Sequence, residues 1–333
     1  MRVVSLVPSA TEIVALVAGA DVLVGRSHEC DYPPAVKTLP ALTGQTTTYD
    51  PASGNTAAAI DAQVRSQVAS GAPLYTLNAR LLAELQPDLI VTQALCNVCS
   101  IDAETVHRVA QNLGARSGRT PEVLSLDPHS LDDVLDDILS VGKALNRTAE
   151  ARDAVVRLNH RLLRAQEFVN PYEEGPVLGF LEWTDPPFVA GHWNVQLIER
   201  AGATHPLNPT KAHAQDGAAA GLQQSQRVAG KSIRVSPETF ARVSPEALVI
   251  APCGLSLDQA RAETAALARQ PWFASLPAVK RGRVAIVDGN QMFNRPGPRL
   301  VDAFEWLVGW LHNRPELIPE GFPWEPWAPA APN

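Results

Sequence analysis

Two of the chain's four cysteines, Cys96 and Cys99, share the short stretch "LCNVCS". Thiolates three residues apart can grip one ion. Thiolates joined by a histidine suit Zn²⁺, and four thiolates suit an iron–sulfur cluster. The other two cysteines are Cys30 in "HECDYPP" and Cys253 in "APCG", and His28 stands two residues before Cys30. His28, Cys30, Cys96, Cys99 and Cys253 are therefore the candidate metal ligands. A second Cys-x-x-Cys is missing, so the spacing is not that of a zinc ribbon. A thioredoxin-like redox role for the pair stays open. So does a structural one, in which small thiols fill loop corners.

A second set of residues suits a bulky ligand. Phe188 and Trp193 lie in "EWTDPPFVAGHW", and Phe293 and Arg295 lie in "DGNQMFNRPGPR". Their Pro and Gly neighbours place them in loops. An aromatic-lined cleft takes a large flat or apolar molecule, and Arg295 offers two N–H groups to a carboxylate, amide or phosphate. Tyr32, in "CDYPP", follows the same logic. No Ser-His-Asp order, phosphate loop or Gly-x-Gly-x-x-Gly occurs, so no catalytic residue is assigned and the chain is read as a non-enzyme. His205 and His213 fall in an Ala-, Gln- and Gly-rich run, His205 to Ser232, read as a mobile loop with solvated histidines.

The elements that position these residues alternate along the chain. "RVVSLV", "DVLVGRS", "ALTGQ", "DLIVTQ" and "EVLSL" read as strands with helical patterns among them, which implies βαβ units and a parallel sheet. From Leu131 to about Phe168 the Leu and Val spacing predicts one long helix; Asn146 offers a break, but a single helix is the simpler reading. The pattern then restarts with "PVLGFLEW", "EALVIAP" and "RVAIVD" as strands and "GPRLVDAFEWLVGWLHN" as a closing helix. The fold expected is α/β: two Rossmann-like lobes, 1–128 and 171–333, joined by a helix over 129–170, with a ligand cleft between them. "LAELQPDLIVTQALC" and "FARVSPEALVIAPCG" echo each other when Pro87 is set on Pro245. Ligands of parallel α/β sheets bind beyond the carboxyl ends of strands, where all four cysteines are predicted to lie. The tail "PWEPWAPAAPN" is expected to be extended, with Trp324 and Trp327 packed on the surface.

Composition excludes some partners. Asp and Glu number 35 against 28 Lys and Arg, a net charge of −7, which argues against nucleic acid, since phosphate binding wants a basic surface. No apolar run reaches the ~18 residues that span a bilayer. Pro8, Thr11 and Glu12 interrupt the apolar start, so it reads as a strand and a helix with a Ser9–Glu12 capping box rather than as a signal peptide. A cytoplasmic location is expected, and a periplasmic or lipid-anchored one if the true start lies elsewhere. In the cytoplasm thiols stay reduced.

"VVSLVPSATEIV", "CDYPP", "LAELQPDLIVTQ", the long connecting helix and "MFNRPGPR" together give a resemblance that covers nearly the whole chain. The chain resembles the class III periplasmic-type binding proteins of vitamin B12 and iron-chelate ABC importers, and among them the cobalamin-binding branch. The resemblance implies a monomer that holds cobalamin or a related metal chelate and docks on an ABC permease. It implies ligand contacts from Tyr32, Phe188 and Arg295. The chain departs from the pattern at Gln291, where an acidic partner of the arginine is expected, and at Ser232, where a tryptophan is. One docking glutamate matches Glu238, while the position of the other falls at Arg80.

Overall fold

The structure is a computed structural model of the chain, and it describes residues 1–94, 101–212 and 227–328. The chain divides into two compact units. The first comprises 1–48, 62–128 and 132–159, and the second comprises 49–61, 129–131 and 160–333.

In the first unit, β1 (Val3–Ser5), β2 (Leu23–Arg26), β5 (Leu89–Gln93) and β6 (Glu122–Leu126) form a parallel sheet in the order β2-β1-β5-β6. β1 and β5 are buried along their whole length, as expected of parallel strands covered on both faces. β3 (Thr43–Gln45) and β4 (Tyr75–Leu77) make a separate antiparallel pair. The helices α1 (Pro8–Ala18), α2 (Ala57–Ser70), α3 (Ala79–Leu85) and α4 (Ala103–Ser117) alternate with these strands. Val4, Leu6, Leu42, Leu82, Ile90 and Val106 make the core. The start of α1 differs from expectation. Pro8 takes the first helical position and Val7 the N-cap, with no side-chain cap. Proline's fixed φ favours that position, so Ser9 and Glu12 are buried inside the helix and the Ser9–Glu12 capping box does not form.

The expected single connecting helix is two: α5 (Leu131–Ala144) and α6 (Thr148–Gln166). Asn146 sits between them at φ +59°, a left-handed conformation that asparagine tolerates at a helix end. A methyl group on Gly142 would stand 2.3 Å from Ala151 Cβ, so the two helices meet at the glycine.

In the second unit, β7 (Leu178–Thr184), β12 (Ala247–Ile250) and β13 (Val284–Val287) are parallel at the centre of a sheet ordered β11-β8-β7-β12-β13-β14. β8 (Pro187–Val189), β11 (Ile233–Arg234) and β14 (Trp324–Trp327) join it antiparallel to their neighbours. The described part of the tail read as extended pairs as a strand over Trp324–Trp327, with Trp327 edge-on to Phe273. β9 (Lys211–Ala212) and β10 (Arg227–Val228) form a short pair. The helices are α7 (His192–Arg200), α8 (Pro237–Arg242), α9 (Leu257–Leu267), α10 (Pro271–Ser275), α11 (Pro277–Lys280) and α12 (Leu300–Leu311). Leu181, Val189, Phe240, Leu248, Ile250 and Phe273 form the core beneath them. Among the described residues no helix is long and apolar enough to cross a membrane.

The internal echo is real in the backbone. Gln86 and Ser244, equivalent when Pro87 is set on Pro245, both adopt positive φ, at +44° and +51°. Each ends a helix, α3 and α8, and each leads through a proline and an acidic residue into a buried central strand.

Candidate functional site

In the first unit the loop after β2 carries His28, Cys30 and Tyr32. His28 is fixed by Thr43, whose Oγ1 accepts from the His28 N–H at 3.1 Å and lies 2.7 Å from Nδ1. Its Nε2 is buried without a hydrogen-bond partner among the described residues and stands 3.9 Å from Glu29 Oε1. Cys30 does not point outward from the strand end as expected. It is 1% exposed, and its Sγ is in hydrogen-bond contact with Thr11 Oγ1 of α1 at 3.0 Å. A thiol behaves as a small hydrophobe, and here it fills the space between loop and helix. Tyr32 does reach solvent, at 43% exposure, from a cis peptide to Pro33.

Cys96 and Cys99 lie outside the described residues. Cys253 is exposed in the second unit, after β12, its N–H donating to the Glu182 carbonyl at 2.9 Å. Among the described residues no group of three or more His, Cys, Asp and Glu side chains is placed to hold a metal ion. The expected cysteine cluster for zinc or an iron–sulfur centre is therefore not supported, because Cys30 is packed inside one unit and Cys253 lies on the surface of the other.

In the second unit Phe188 is half-buried at the middle of β8, opposite Trp183 and Arg234. Trp193 and Phe293, expected on loops facing a ligand, are core rings instead. Trp193 is buried and donates from Nε1 to the Phe293 carbonyl at 2.6 Å. Phe293 is 1% exposed and packs edge-on to Phe180 and Trp306, 5.1 and 5.8 Å between centroids. Phe293 does lie on a loop, as its Pro and Gly neighbours imply, whereas Trp193 sits in the first turn of α7; both are buried. His192 holds φ +48°, stacks on Trp193 and lies 5.7 Å from the His129 ring. Arg295 is buried and donates to Asn290 Oδ1 at 3.1 Å. Gln291 donates to Asp288 and accepts from Arg299. Ser232 turns inward and hydrogen-bonds to Glu182.

The solvated histidine expected at 205 is buried, 2% exposed, with Nδ1 3.0 Å from the Leu178 carbonyl. Burial pushes its pKa down to about 4. His213 lies outside the described residues.

Three polar groups were missed from the sequence. Glu182 is a buried acid on β7. Glu263 on α9 accepts from Tyr49 Oη at 2.9 Å, the Ala57 N–H at 3.3 Å and Thr184 Oγ1 at 3.0 Å. Tyr49 belongs to the short segment 49–61 that lies in the second unit. Burial, with Glu263 beside it, raises its phenol above the ordinary range. Nothing in local pattern marks either carboxylate, since both sit in strand or helix runs that read as ordinary surface alternation.

Two cavities open in this unit. One, of about 460 Å³, is lined by Asp185, Arg234, Pro186, Pro187 and Pro237. The other, of about 260 Å³, is lined by Thr184, Asp185, Glu263, Leu267 and Trp272, among others. Burial lifts the Asp185 carboxyl, helped by the charges of Glu263 and Asp61 and opposed by Arg234. None of Phe188, Trp193, Phe293 and Arg295 lines either cavity.

Residues 3–290 match the periplasmic binding protein family, and the chain belongs to that family. No curated protein matches the chain. Among solved structures it is similar to a periplasmic heme-binding protein from Pseudomonas aeruginosa, at 22% identity and a TM-score of 0.64, over 94% of this chain and 92% of that one. It is similar to the periplasmic vitamin B12-binding protein BtuF of Vibrio cholerae, at 19% identity and TM-score 0.60, over 95% and 98%. It is also similar to CeuE of Helicobacter pylori with Ni(II) bound, at 18% and 0.60, over 95% and 84%. At these identities the likeness is one of fold.

Proposed function

We propose that this chain binds a metal chelate, and that the ligand is a corrinoid, cobalamin or a close relative. The observation that carries the reading is family membership over nearly the whole chain, together with similarity to proteins described as binding vitamin B12, heme and nickel. Those ligands share a metal ion, and two of them share a large flat ring. Tyr32, the solvent-reaching aromatic of the first unit, supplies a face for such a ring; Phe188, half-buried in the second unit, is an aromatic of the same kind. Arg295 carries N–H donors of the kind that suit the amide groups at a corrin's rim. Heme is the second reading, favoured by the description of the Pseudomonas aeruginosa protein.

The partner proposed is an ABC permease. Glu238 is fully exposed in the first turn of α8. At the equivalent place Arg80 is paired with Glu84 at 2.9 Å on α3, so α3 presents Glu84 as its carboxylate one turn further on. A Tyr32→Ala variant tests the ligand half of the proposal. Weaker corrinoid binding with an unchanged melting temperature supports it, and unchanged binding removes Tyr32 from the site.

A further inference from the structure

Where β7 pairs with β8, Glu182 is passed over: Leu181 faces Val189 and Trp183 faces Phe188, with an irregularity between them. Such bulges re-aim a side chain. Here the re-aimed side chain is an acid, buried, with no lysine or arginine among its hydrogen-bond partners in the described residues. Oε1 accepts from the Gly191 N–H at 3.2 Å and from Asn194 Nδ2 at 2.7 Å. Oε2 meets Ser232 Oγ. Three chain segments therefore converge on one carboxyl group: the turn after β8, the first turn of α7, and the residues leading into β11.

The convergence is tight. A methyl group on Gly191 would stand 2.1 Å from the Ser232 nitrogen. The His192 N–H donates to the Gly230 carbonyl at 2.8 Å, and Asn208 Nδ2 bridges the carbonyls of Ala190 and Lys231. A lone carboxylate buried without a cation is costly. Two N–H donors already occupy Oε1, while the hydroxyl at Oε2 is able to accept as well as donate.

We propose that Glu182 is a positioning residue carried as the neutral acid, its Oε2 proton donated to Ser232 Oγ, and that this proton clasps the segment bearing Phe188, His192 and Trp193 to residues 230–232. Burial raises the Glu182 carboxyl above its ordinary value, and the bonds from Ser232, Asn194 and Gly191 pull the other way. The charged or titratable groups on the surrounding elements are His192, Glu199 and Arg200 of α7, Lys231 and Arg234 beside Ser232, and Cys253. None of them is among the causes of the shift. A group whose value is raised on folding stabilises the fold at low pH, and that stability is lost as pH rises through the raised value. The neutral acid accordingly stabilises the fold in acid, and that stability falls in base, where the buried group is charged.

The test uses the full chain without ligand, so its outcome does not depend on the chelate reading. Glu182→Gln mimics the neutral acid: its amide N–H₂ donates to Ser232 while its oxygen still accepts from Gly191 and Asn194. Melting temperature is measured from pH 5.5 to 9 for the wild type, Glu182→Gln and Glu182→Ala. The Gln variant is expected to match the wild type at pH 5.5 and to exceed it by at least about 2 °C at pH 9. The Ala variant is expected to melt lower than both at pH 5.5. A Gln variant that falls below the wild type by the same margin at every pH would overturn the proposal, since an ionised carboxylate would then be accepting all three bonds. If the Ala variant does not fold, the comparison of Gln with wild type decides alone.

Discussion

Asp88 and Glu246 do the same job in the two units. Asp88 accepts the Arg2 N–H at 2.8 Å and pairs with Arg119 at 2.6 Å. Glu246 accepts the Val177 N–H at 3.4 Å and pairs with Arg281 at 3.4 Å. Each carboxylate thus ties its unit's central strand to the residue just before the strand that opens the unit, and to an arginine three residues ahead of the next strand. The two positions are equivalent in the sequence echo as well. Asp88 is the better placed, with a side chain 19% exposed against 47% for Glu246. Replacing Asp88 by Ala should cost about 1–3 kcal/mol, while Glu246→Ala should cost under about 1 kcal/mol because an exposed pair is screened. Urea denaturation of the two variants checks the order.

That echo was legible in the sequence because proline and a buried strand leave local marks. Most strands and helices were legible for the same reason. The join of α5 and α6 was marked only by Asn146 and was overridden, because apolar spacing runs on through both helices. Only the pairing of Gly142 with Ala151 in space makes the break at Asn146 necessary. For the site, Tyr32 reaches solvent and Phe188 is half-buried. Phe293, Trp193 and His205 are buried through contacts distant in sequence, Trp193 with the Phe293 carbonyl and His205 with the Leu178 carbonyl, which residue types alone do not encode. Cys30 misled for a like reason: a strand-end position fixes where a residue stands, not the side to which its sulfur turns.

Gly142 offers a test with opposing terms. Alanine there gains about 1 kcal/mol in helix propensity. It also drives a methyl group to 2.3 Å from Ala151 Cβ, and overpacking of this kind costs about 1–3 kcal/mol. The steric term should win or draw, so Gly142→Ala should not stabilise the chain. Thermal melting gives the sign.

His205 makes stability depend on pH. Its pKa is pushed down to about 4 in the fold, from 6.5 for a solvated histidine. The folded value is the lower, so its contribution is present above pH 6.5 and is lost as pH falls towards 4. The full loss is about 3 kcal/mol for this shift. Denaturation curves at pH 7.5, 6 and 5 should show the decline, and His205→Gln should flatten it.

Glu263 gathers Tyr49, Ala57 and Thr184, and the Trp183 indole also donates to the Ala57 carbonyl at 3.2 Å. Glu263→Ala leaves three donors without their acceptor and should cost about 2–4 kcal/mol. Segment 49–57 should then become a substrate for chymotrypsin at Tyr49 before the rest of the chain is cut. Cleavage at the wild-type rate would show that the segment is held by other contacts.

The central claim is that the chain holds a metal chelate. Its most direct test is an equilibrium titration of the purified chain, metal content measured beforehand, with aquocobalamin, hemin and a ferric siderophore in parallel. The account predicts saturable one-to-one binding of aquocobalamin, with a shift in its visible absorption or a calorimetric isotherm as the signal. Saturable binding of hemin alone would keep the chelate and replace the corrinoid. Failure of all three to saturate would contradict the account.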